Sequence, residues 1–429
     1  MTRWNPREMM READIRSLAN RSYKEIVFNT LGKIFPGRLQ ALANKPAEAL
    51  MEKAMQITGL SDWGDEVPFQ EGLGILLESF RRHGFFTTFG WYRIHEMLTS
   101  HLINRLMIQH ELTEHPEILE EKISRPLFVV GLPRSGTTTM QRLLAQDPNH
   151  RSLLFWEALR PVPSPRAETW NSDPRIAEAQ RFVDLTQRVI PNYSSIHKLG
   201  AQLPEECRIL FMNSFVNGSF SLFAPAPEFD AWERKQDQLV AHQYYRRQLQ
   251  ILQHCYKKER WMLKSPFHGS NLPALLTVFP DAAVVCIHRD PLKTVPSAKS
   301  LGMHYRLLYT DRPLTTMKKD TLDGKQAACA DAMVEARAHL PSRSFFDVQY
   351  LSFVKDPIGT VAGIYEYFGF SFTSDTEKAM RNWLAVNSQH KHGVHRYSLE
   401  QFGINPDKIS EHFKAYVDRF DVQPEKRRK

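Results

Sequence analysis

The sequence of 429 residues has few cysteines and no long apolar segment. Its four cysteines, Cys207, Cys255, Cys286 and Cys329, are scattered without the spacing of a metal site. The N-terminal stretch has no apolar signal segment, and no uninterrupted apolar run approaches the length of a membrane span. These absences favour a reducing compartment, and we expect a cytoplasmic protein without stable membrane insertion.

Long runs of positive charge are also missing from the interior of the sequence. The net charge of +8 favours an anionic ligand, but only the tail at 426–429 is a basic run, so we do not expect nucleic acid as a partner. The aromatic run at 85–91 is compatible either with the core or with a peripheral membrane contact. The sequence leaves the oligomeric state open.

The pattern of apolar residues divides the chain into two regions. Residues 1–122 predict an all-helical region packed on the core, and residues 123–429 alternate strands with helices, which is typical of an α/β domain with a parallel sheet. Ligands of such sheets bind at the carboxyl ends of the strands. The predicted strands are 127–131, 152–156, 260–264, 282–288 and 344–349. The predicted helices are 6–18, 22–33, 46–57, 70–82, 88–112, 137–146, 174–189, 204–216, 231–256, 270–278, 291–306, 357–368 and 374–388.

The most informative stretch joins the first strand to the helix after it. Gly131 and Gly136 have the spacing of a P-loop, but Thr137 stands where the P-loop lysine should be. The basic group is instead Arg134, inside the loop. A loop leading into a helix N-terminus offers unpaired N–H groups and the positive end of the helix dipole to a phosphate. Because the missing lysine works beside a metal on a triphosphate, this loop favours a 5′-phosphate with less charge.

The run Pro-Arg134-Ser135-Gly136-Thr137-Thr138 resembles the 5′-phosphosulfate-binding loop of PAPS-dependent sulfotransferases. PAPS is 3′-phosphoadenosine 5′-phosphosulfate. The resemblance is strongest to long bacterial members similar to the tyrosylprotein sulfotransferases. It implies a P-loop-like three-layer fold around a parallel five-stranded sheet, and it implies that these loop residues bind PAPS.

A second strand end adds a candidate phosphate clamp. The strand ending in His288 is followed by Arg289 and Pro291, with Ser297 six residues after the proline. An arginine fork and a hydroxyl suit a terminal phosphate. The spacing resembles the 3′-phosphate site of the sulfotransferases, which implies that Arg289 and Ser297 hold that group.

Other strand ends supply candidate catalytic residues. Lys264 and His268 follow the third strand and resemble the Lys-x-His stretch of the cytosolic sulfotransferases, with one extra residue between them. Glu157 follows the second predicted strand, where tyrosylprotein sulfotransferases carry their general base. The resemblance implies that Arg134 and Lys264 face the charge that develops on the bridging oxygen.

The identity of the base stays open at this point. Either Glu157 or His268 is placed to take the acceptor proton, and Glu206 and His197 are further candidates in a stretch similar to the acceptor side of bacterial sulfotransferases. Adjacent carboxylates at a helix start are also favourable for the helix dipole alone.

A basic loop at 390–397 occupies the place of the family's Arg-Lys-Gly loop, which implies that Lys391 and Gly393 contact the nucleotide. The predicted reaction is in-line transfer of the PAPS sulfuryl group to a hydroxyl or amine of a small-molecule or lipid-like acceptor, without a metal. The alternatives are a P-loop-type nucleotide kinase, disfavoured by the missing lysine, and a non-catalytic nucleotide-binding protein of the same fold.

Overall fold

The computed structural model describes residues 29, 36–64, 68–190, 197–216, 218–310, 322–387 and 398–425. The helix predicted at 6–18, and all of the one predicted at 22–33 except residue 29, lie outside these ranges.

The centre of the fold is a five-stranded parallel sheet in the order β2-β3-β1-β4-β5. Its strands are β1 Leu127–Gly131, β2 His150–Ser152, β3 Arg260–Lys264, β4 Ala283–His288 and β5 Phe345–Gln349. β1 is the middle strand and is flanked by β3 and β4, so the ends of these three strands meet at one point on the sheet edge. The predicted α/β fold with a parallel five-stranded sheet is confirmed.

The helices cover both faces of this sheet. They are α1 Pro36–Ala43, α2 Ala47–Thr58, α3 Phe69–His83, α4 Thr88–Glu114, α5 Thr137–Leu144, α6 Phe155–Leu159, α7 Pro174–Val189, α8 Arg208–Met212, α9 Pro227–Glu233, α10 Gln238–His254, α11 Leu272–Val278, α12 Pro291–Leu307, α13 Leu322–His339, α14 Tyr350–Lys355, α15 Pro357–Phe368, α16 Ser374–Val386, α17 Pro406–His412 and α18 Lys414–Phe420.

Every side chain of β1 is buried, but successive ones enter different cores. Phe128 and Val130 belong to the core on one face, and Leu127 and Val129 belong to the core on the other. This alternation is the period of two of a strand, and burial on both faces explains the uninterrupted apolar run.

The helices before β1 form a third core with the segment that precedes α10. Leu73, Leu98 and Leu102 of α3 and α4 pack with Phe215 and Phe220. The elements described ahead of β1 are helices, apart from an isolated bridge between Phe86 and Thr310, and the boundary predicted at residue 122 stays a prediction. No helix of the described chain is long and apolar enough to cross a bilayer.

The second strand and its neighbourhood differ from the prediction. The strand predicted at 152–156 is wrong in its bounds, because β2 ends at Ser152 and the apolar residues after it begin α6. Leu153 instead accepts a hydrogen bond from the Glu205 amide, and Leu154 forms an isolated bridge with Pro204. This apolar run is therefore buried against the 203–205 segment rather than in the sheet.

Some helix predictions also differ from the structure, and the helix predicted at 204–216 is shortened to α8, Arg208–Met212. The single helix predicted at 231–256 is two helices, α9 and α10, separated at 234–237. The helix α13 was not predicted. It lies against the 3₁₀ turn Pro266–Asn271, which follows β3.

Candidate functional site

The loop between β1 and α5 has a strained backbone. Gly131 has φ +151°, and a Cβ there would lie 2.5 Å from the carbonyl oxygen of Ile287, so only glycine fits. Gly136 has φ +101°, and Arg134 has φ 73°, which is costly for a residue with a side chain. The hydroxyl of Ser135 is buried and has no hydrogen-bond partner among the described residues. The loop therefore carries the strain and the unsatisfied polar group that a ligand site commonly shows.

Residues predicted for two separate phosphate sites come together around this loop. Arg134 Nε donates to Ser297 Oγ at 3.0 Å, and Arg289 Nη1 donates to the Arg134 carbonyl at 3.0 Å. The Arg289 guanidinium lies 3.9 Å from the centroid of the Tyr350 ring. It also forms two hydrogen bonds with Glu425, at 2.7 and 3.0 Å. β1, β4 and α12 thus deliver two arginines and a buried hydroxyl to one place.

Lys264 lies on the other side of the loop, at the end of β3. Its Nζ is 2.6 Å from Glu206 Oε1 and 3.4 Å from Thr138 Oγ1. Arg208 Nε approaches the other oxygen of Glu206 at 3.1 Å. Burial raises the pKa of Glu206, but the charges of Lys264 and Arg208 outweigh burial and hold the pKa below its ordinary value. Glu206 is therefore ionised at neutral pH and lies between two cations.

Backbone hydrogen bonds fix the segment that carries Glu206. The amide of Glu205 donates to the Leu153 carbonyl at 2.9 Å, and the amide of Cys207 donates to the Lys264 carbonyl at 3.0 Å. The side chain of Gln141, in α5, donates to the Glu205 carbonyl at 2.9 Å. The residue between these anchors, Glu206, is thereby held against Lys264.

The neighbouring carboxylate, Glu205, has a different role in the packing. Its Oε2 is 3.4 Å from His197 Nε2, and its Oε1 accepts the backbone N–H of Glu206 at 3.0 Å. Burial raises the pKa of Glu205, but the nearby charges of His197 and Lys264 bring the pKa well below its usual value. Glu205 orients His197 and the Glu206 backbone, and its own two oxygens are both engaged.

The loop between β1 and α5, residues 131–136 (the phosphate-type loop), lies together with two arginines, a lysine and a carboxylate at the ends of β3, β1 and β4. The profile of the sulfotransferase family matches residues 126–374, more than half of the chain, and this range contains the loop, Glu206, Lys264 and Arg289. The chain belongs to the sulfotransferase family. The predicted sulfotransferase activity is thus confirmed in preference to the kinase and the non-catalytic alternatives.

Similar proteins come from mycobacteria. The sulfotransferase is 31% identical to sulfotransferase STF9 from Mycobacterium avium, with a TM-score of 0.80 over 89% of this chain and 98% of that one. It is 31% identical to sulfotransferase STF1 from Mycobacterium tuberculosis H37Rv, with a TM-score of 0.75 over 85% and 97% of the two chains. It is also 26% identical, over 69% of this chain and 74% of the relative, to the omega-hydroxy-beta-dihydromenaquinone-9 sulfotransferase Stf3 from Mycobacterium bovis.

The structure does not bring Glu157 to the site. Glu157 is fully buried and pairs with both Nη atoms of Arg151, one contact being 3.0 Å. It also accepts the Leu154 amide at 3.0 Å and the Trp170 indole N–H at 3.0 Å. None of its contacts reaches Lys264 or the phosphate-type loop. A carboxylate with all its bonding positions occupied inside the core is poorly suited to accept a substrate proton.

His268 is likewise separated from the cations of the site. It lies in the 3₁₀ turn after β3 and is buried among Phe128, Phe211 and Tyr245, with ring centroids at 5.1, 5.7 and 5.9 Å. Burial, with a smaller contribution from the charge of His242, lowers the pKa of His268 well below its ordinary value. The imidazole is neutral, and its surroundings are those of a core residue.

The remaining nucleotide candidates, Lys391 and Gly393, lie outside the described residues. Within the described ranges, no three or more His, Cys, Asp or Glu residues are grouped to hold a metal ion. Sequence reasoning missed three residues that the structure adds to the site: Arg208, Tyr350 and Glu425. Only Arg208 had a signal in the sequence, because it is a basic residue two positions after Glu206.

Proposed function

We propose that this sulfotransferase uses PAPS as its donor and transfers the sulfuryl group to a hydroxyl of a largely apolar small molecule, with Glu206 as the general base. The observation that carries the assignment is the contact between Lys264 and Glu206 beside Thr138 of the phosphate-type loop. This contact places a cation that can stabilise the leaving group next to a carboxylate that can take the acceptor proton, at the end of β3.

The residues around the loop fit a nucleotide with phosphates at both its 5′ and 3′ ends. Ser135 offers a buried hydroxyl without a partner among the described residues, and the first turn of α5 offers backbone N–H groups. Arg289 and Ser297 supply a fork and a hydroxyl for the 3′-phosphate. Lys391 and Gly393 remain proposed ligands of the same nucleotide on the strength of the sequence resemblance.

Bound PAPS supplies an activated sulfuryl group, and the chain supplies the charges and the proton acceptor. As the acceptor oxygen forms its bond to sulfur, Glu206 takes the hydroxyl proton. The bond between sulfur and the bridging oxygen breaks, and negative charge collects on that oxygen. Lys264 and Arg134 are the cations that stabilise this charge. Lys264 therefore exchanges its partner during the reaction, from Glu206 to the leaving oxygen, which frees the carboxylate to act as a base.

The proposal of an apolar acceptor rests on the relative Stf3, whose name specifies a hydroxylated menaquinone derivative. The aromatic residues Phe211, Phe220 and Phe223 give it no further support, because each packs against other rings of the core. A panel of long-chain and isoprenoid alcohols, with matched hydrophilic alcohols as controls, tests the proposed class of acceptor. Mass spectrometry should show gain of one sulfuryl group on the apolar alcohols. Exclusive sulfation of the hydrophilic alcohols would contradict it.

The donor is tested by thermal stability in the presence of nucleotides. At 100 times its Kd, a ligand of the folded state stabilises by about 2.7 kcal/mol. 3′-Phosphoadenosine 5′-phosphate should raise Tm clearly, whereas ATP with Mg²⁺ should not. Stabilisation by ATP–Mg²⁺ alone would contradict the proposed donor, and absence of turnover with PAPS and every alcohol would contradict the proposed reaction.

A further inference from the structure

The cation expected to bind the 3′-phosphate is paired with a carboxylate from the far end of the chain. Arg289 Nε and Nη2 contact the two oxygens of Glu425 at 2.7 and 3.0 Å, a two-pronged geometry that a phosphate also prefers. The two side chains are only 17% and 14% exposed. The contact is therefore shielded, and solvent screens it less than it screens a surface pair.

The carboxylate is held there by the backbone around it. The Glu425 amide donates to Asp290 Oδ2 at 2.9 Å, one residue after Arg289 in the sequence. Upstream, the Phe420 ring stacks on His288 with centroids 4.2 Å apart, and the Phe420 carbonyl accepts from Gln349 Nε2 at 2.7 Å. The C-terminal segment is thus attached to the ends of β4 and β5, next to the phosphate clamp.

Two further contacts of Arg289 leave the Nε–Nη2 edge of its guanidinium directed at Glu425. Its Nη1 is engaged by the Arg134 carbonyl, and its face lies over Tyr350. A phosphate bound bidentately by Nε and Nη2 would need the positions that the Glu425 oxygens occupy. Two anions cannot share that edge without strong repulsion.

We propose that Glu425 sets the affinity of the site for the nucleotide: its carboxylate is an internal competitor that the 3′-phosphate must displace from Arg289. This inference rests on the proposed function, because it takes Arg289 as the 3′-phosphate ligand. A dianionic phosphate displaces the carboxylate, whereas a nucleotide without a 3′-phosphate leaves the pair intact. Glu425 consequently lowers affinity only for nucleotides that carry the 3′ group.

Titration calorimetry with two nucleotides tests the proposal. Removing the competitor with Glu425→Gln should tighten binding of 3′-phosphoadenosine 5′-phosphate by about 3- to 30-fold, since the competent form of Arg289 becomes the major one. Binding of AMP, which shares the adenosine and 5′-phosphate, should not change. Glu411→Gln, which removes an exposed carboxylate on α17, is the matched control and should change neither affinity.

Three outcomes would overturn the proposal. One is equal affinity of wild type and Glu425→Gln for the bisphosphate, and another is equal tightening for the bisphosphate and AMP, which would indicate a general charge effect. The third is a Glu425→Ala protein that binds the bisphosphate no more tightly than wild type does, because this second variant also removes the carboxylate.

A separate variant distinguishes this inference from the proposed function. Arg289→Ala should weaken the bisphosphate by about 30- to 1000-fold while sparing AMP, as expected for removal of one partner of a buried charged pair. If that loss occurs but Glu425→Gln is neutral, only the role of Glu425 is wrong. If wild type fails to bind the bisphosphate at all, both fail.

Discussion

Two carboxylates of this sulfotransferase, Glu157 and Glu206, pair with cations, yet they differ in what surrounds them. Glu157 pairs with Arg151 at the end of β2, where the Trp170, Tyr256 and Trp261 rings lie 4.8 to 5.5 Å from the Arg151 guanidinium carbon. Glu206 pairs with Lys264 and Arg208 beside the phosphate-type loop, and it is 15% exposed rather than fully buried. The first pair is enclosed by the core, and the second lies at the edge of the site.

The difference follows from the position of each strand in the sheet. β2 is an edge strand separated from β1 by β3, so a residue after β2 is two strands away from the loop that follows β1. Lys264 ends β3, directly beside β1. Glu206 does not itself follow a strand, but it lies beside the ligand loop because it pairs with Lys264, which ends the strand next to β1.

The largest expected effect comes from the carboxylate beside the loop. Glu206→Gln should lower kcat by about 10²- to 10⁴-fold, because it removes the proton acceptor while keeping the size of the side chain. Affinity for the bisphosphate should stay nearly unchanged. Steady-state kinetics and calorimetry measure the two quantities. A kcat close to that of wild type would contradict the role of Glu206 as the base, and with it the contrast between Glu206 and Glu157.

The enclosed carboxylate should show the opposite pattern. Glu157→Gln leaves Arg151 buried without a counter-ion, which costs about 3–5 kcal/mol of stability. Tm should fall, while kcat per folded molecule should remain within a few-fold of wild type at a temperature where both are folded. If instead Glu157→Gln stays as stable as wild type but loses turnover, Glu157 is the base after all.

Buried histidines should make stability depend on acidity. Burial lowers the pKa of His242 to about 4 and that of His268 well below its ordinary value. In the unfolded chain, histidine has a pKa of about 6.5 and binds a proton below that pH, so stability is fully present above it and falls with acidification. Each such histidine contributes a loss of up to about 1.4 kcal/mol per pH unit in this range.

A matched variant isolates one of these histidines. His268→Phe keeps an aromatic ring in the aromatic surroundings, and it should lose about 2 kcal/mol less than wild type between pH 6.5 and 5. Denaturant unfolding at the two pH values measures this. Turnover at neutral pH should persist, because His268 is enclosed in the core. Abolished turnover in a folded variant would reassign the base to His268.

The smallest expected effect concerns Arg208, which shares Glu206 with Lys264. Its charge lowers the pKa of Glu206, so Arg208→Gln should raise that pKa. The acid limb of the kcat/KM profile should then move to higher pH, with little change at neutral pH. A limb that does not move would show that the acid limb does not report the ionisation of Glu206.

The sequence predicted β1 and β3 to the residue, because their apolar runs end in glycine and lysine. The part of the site formed by the loop between β1 and α5 could also be predicted from the sequence, since Gly131, Arg134 and Gly136 mark a strained turn. The strand after α5 was misplaced, because Leu153 and Leu154 are buried by a segment about 50 residues away, and no local period distinguishes such burial from a strand.

Pairing between distant residues was the part that the sequence could not provide. Glu206 meets Lys264 across 58 positions, and Glu425 meets Arg289 across 136. Local patterns carry no information on such contacts, so the sequence favoured Glu157 as the candidate base and left Glu206 as a further candidate. Their environments, not their positions in the sequence, separate them.

The attachment of residues 203–207 bears on how this protein could be redesigned. The hydrogen bonds that hold Glu206 in place use the Glu205 and Cys207 amides and the Leu153 and Lys264 carbonyls, which any amino acid except proline at the donor positions can supply. The sequence between β2 and β3 can therefore change without loss of the backbone hydrogen bonds that hold Glu206, the proposed base. Chimeras that graft this insert from one relative into another, joined at these anchors, would test whether the insert also sets the choice of acceptor.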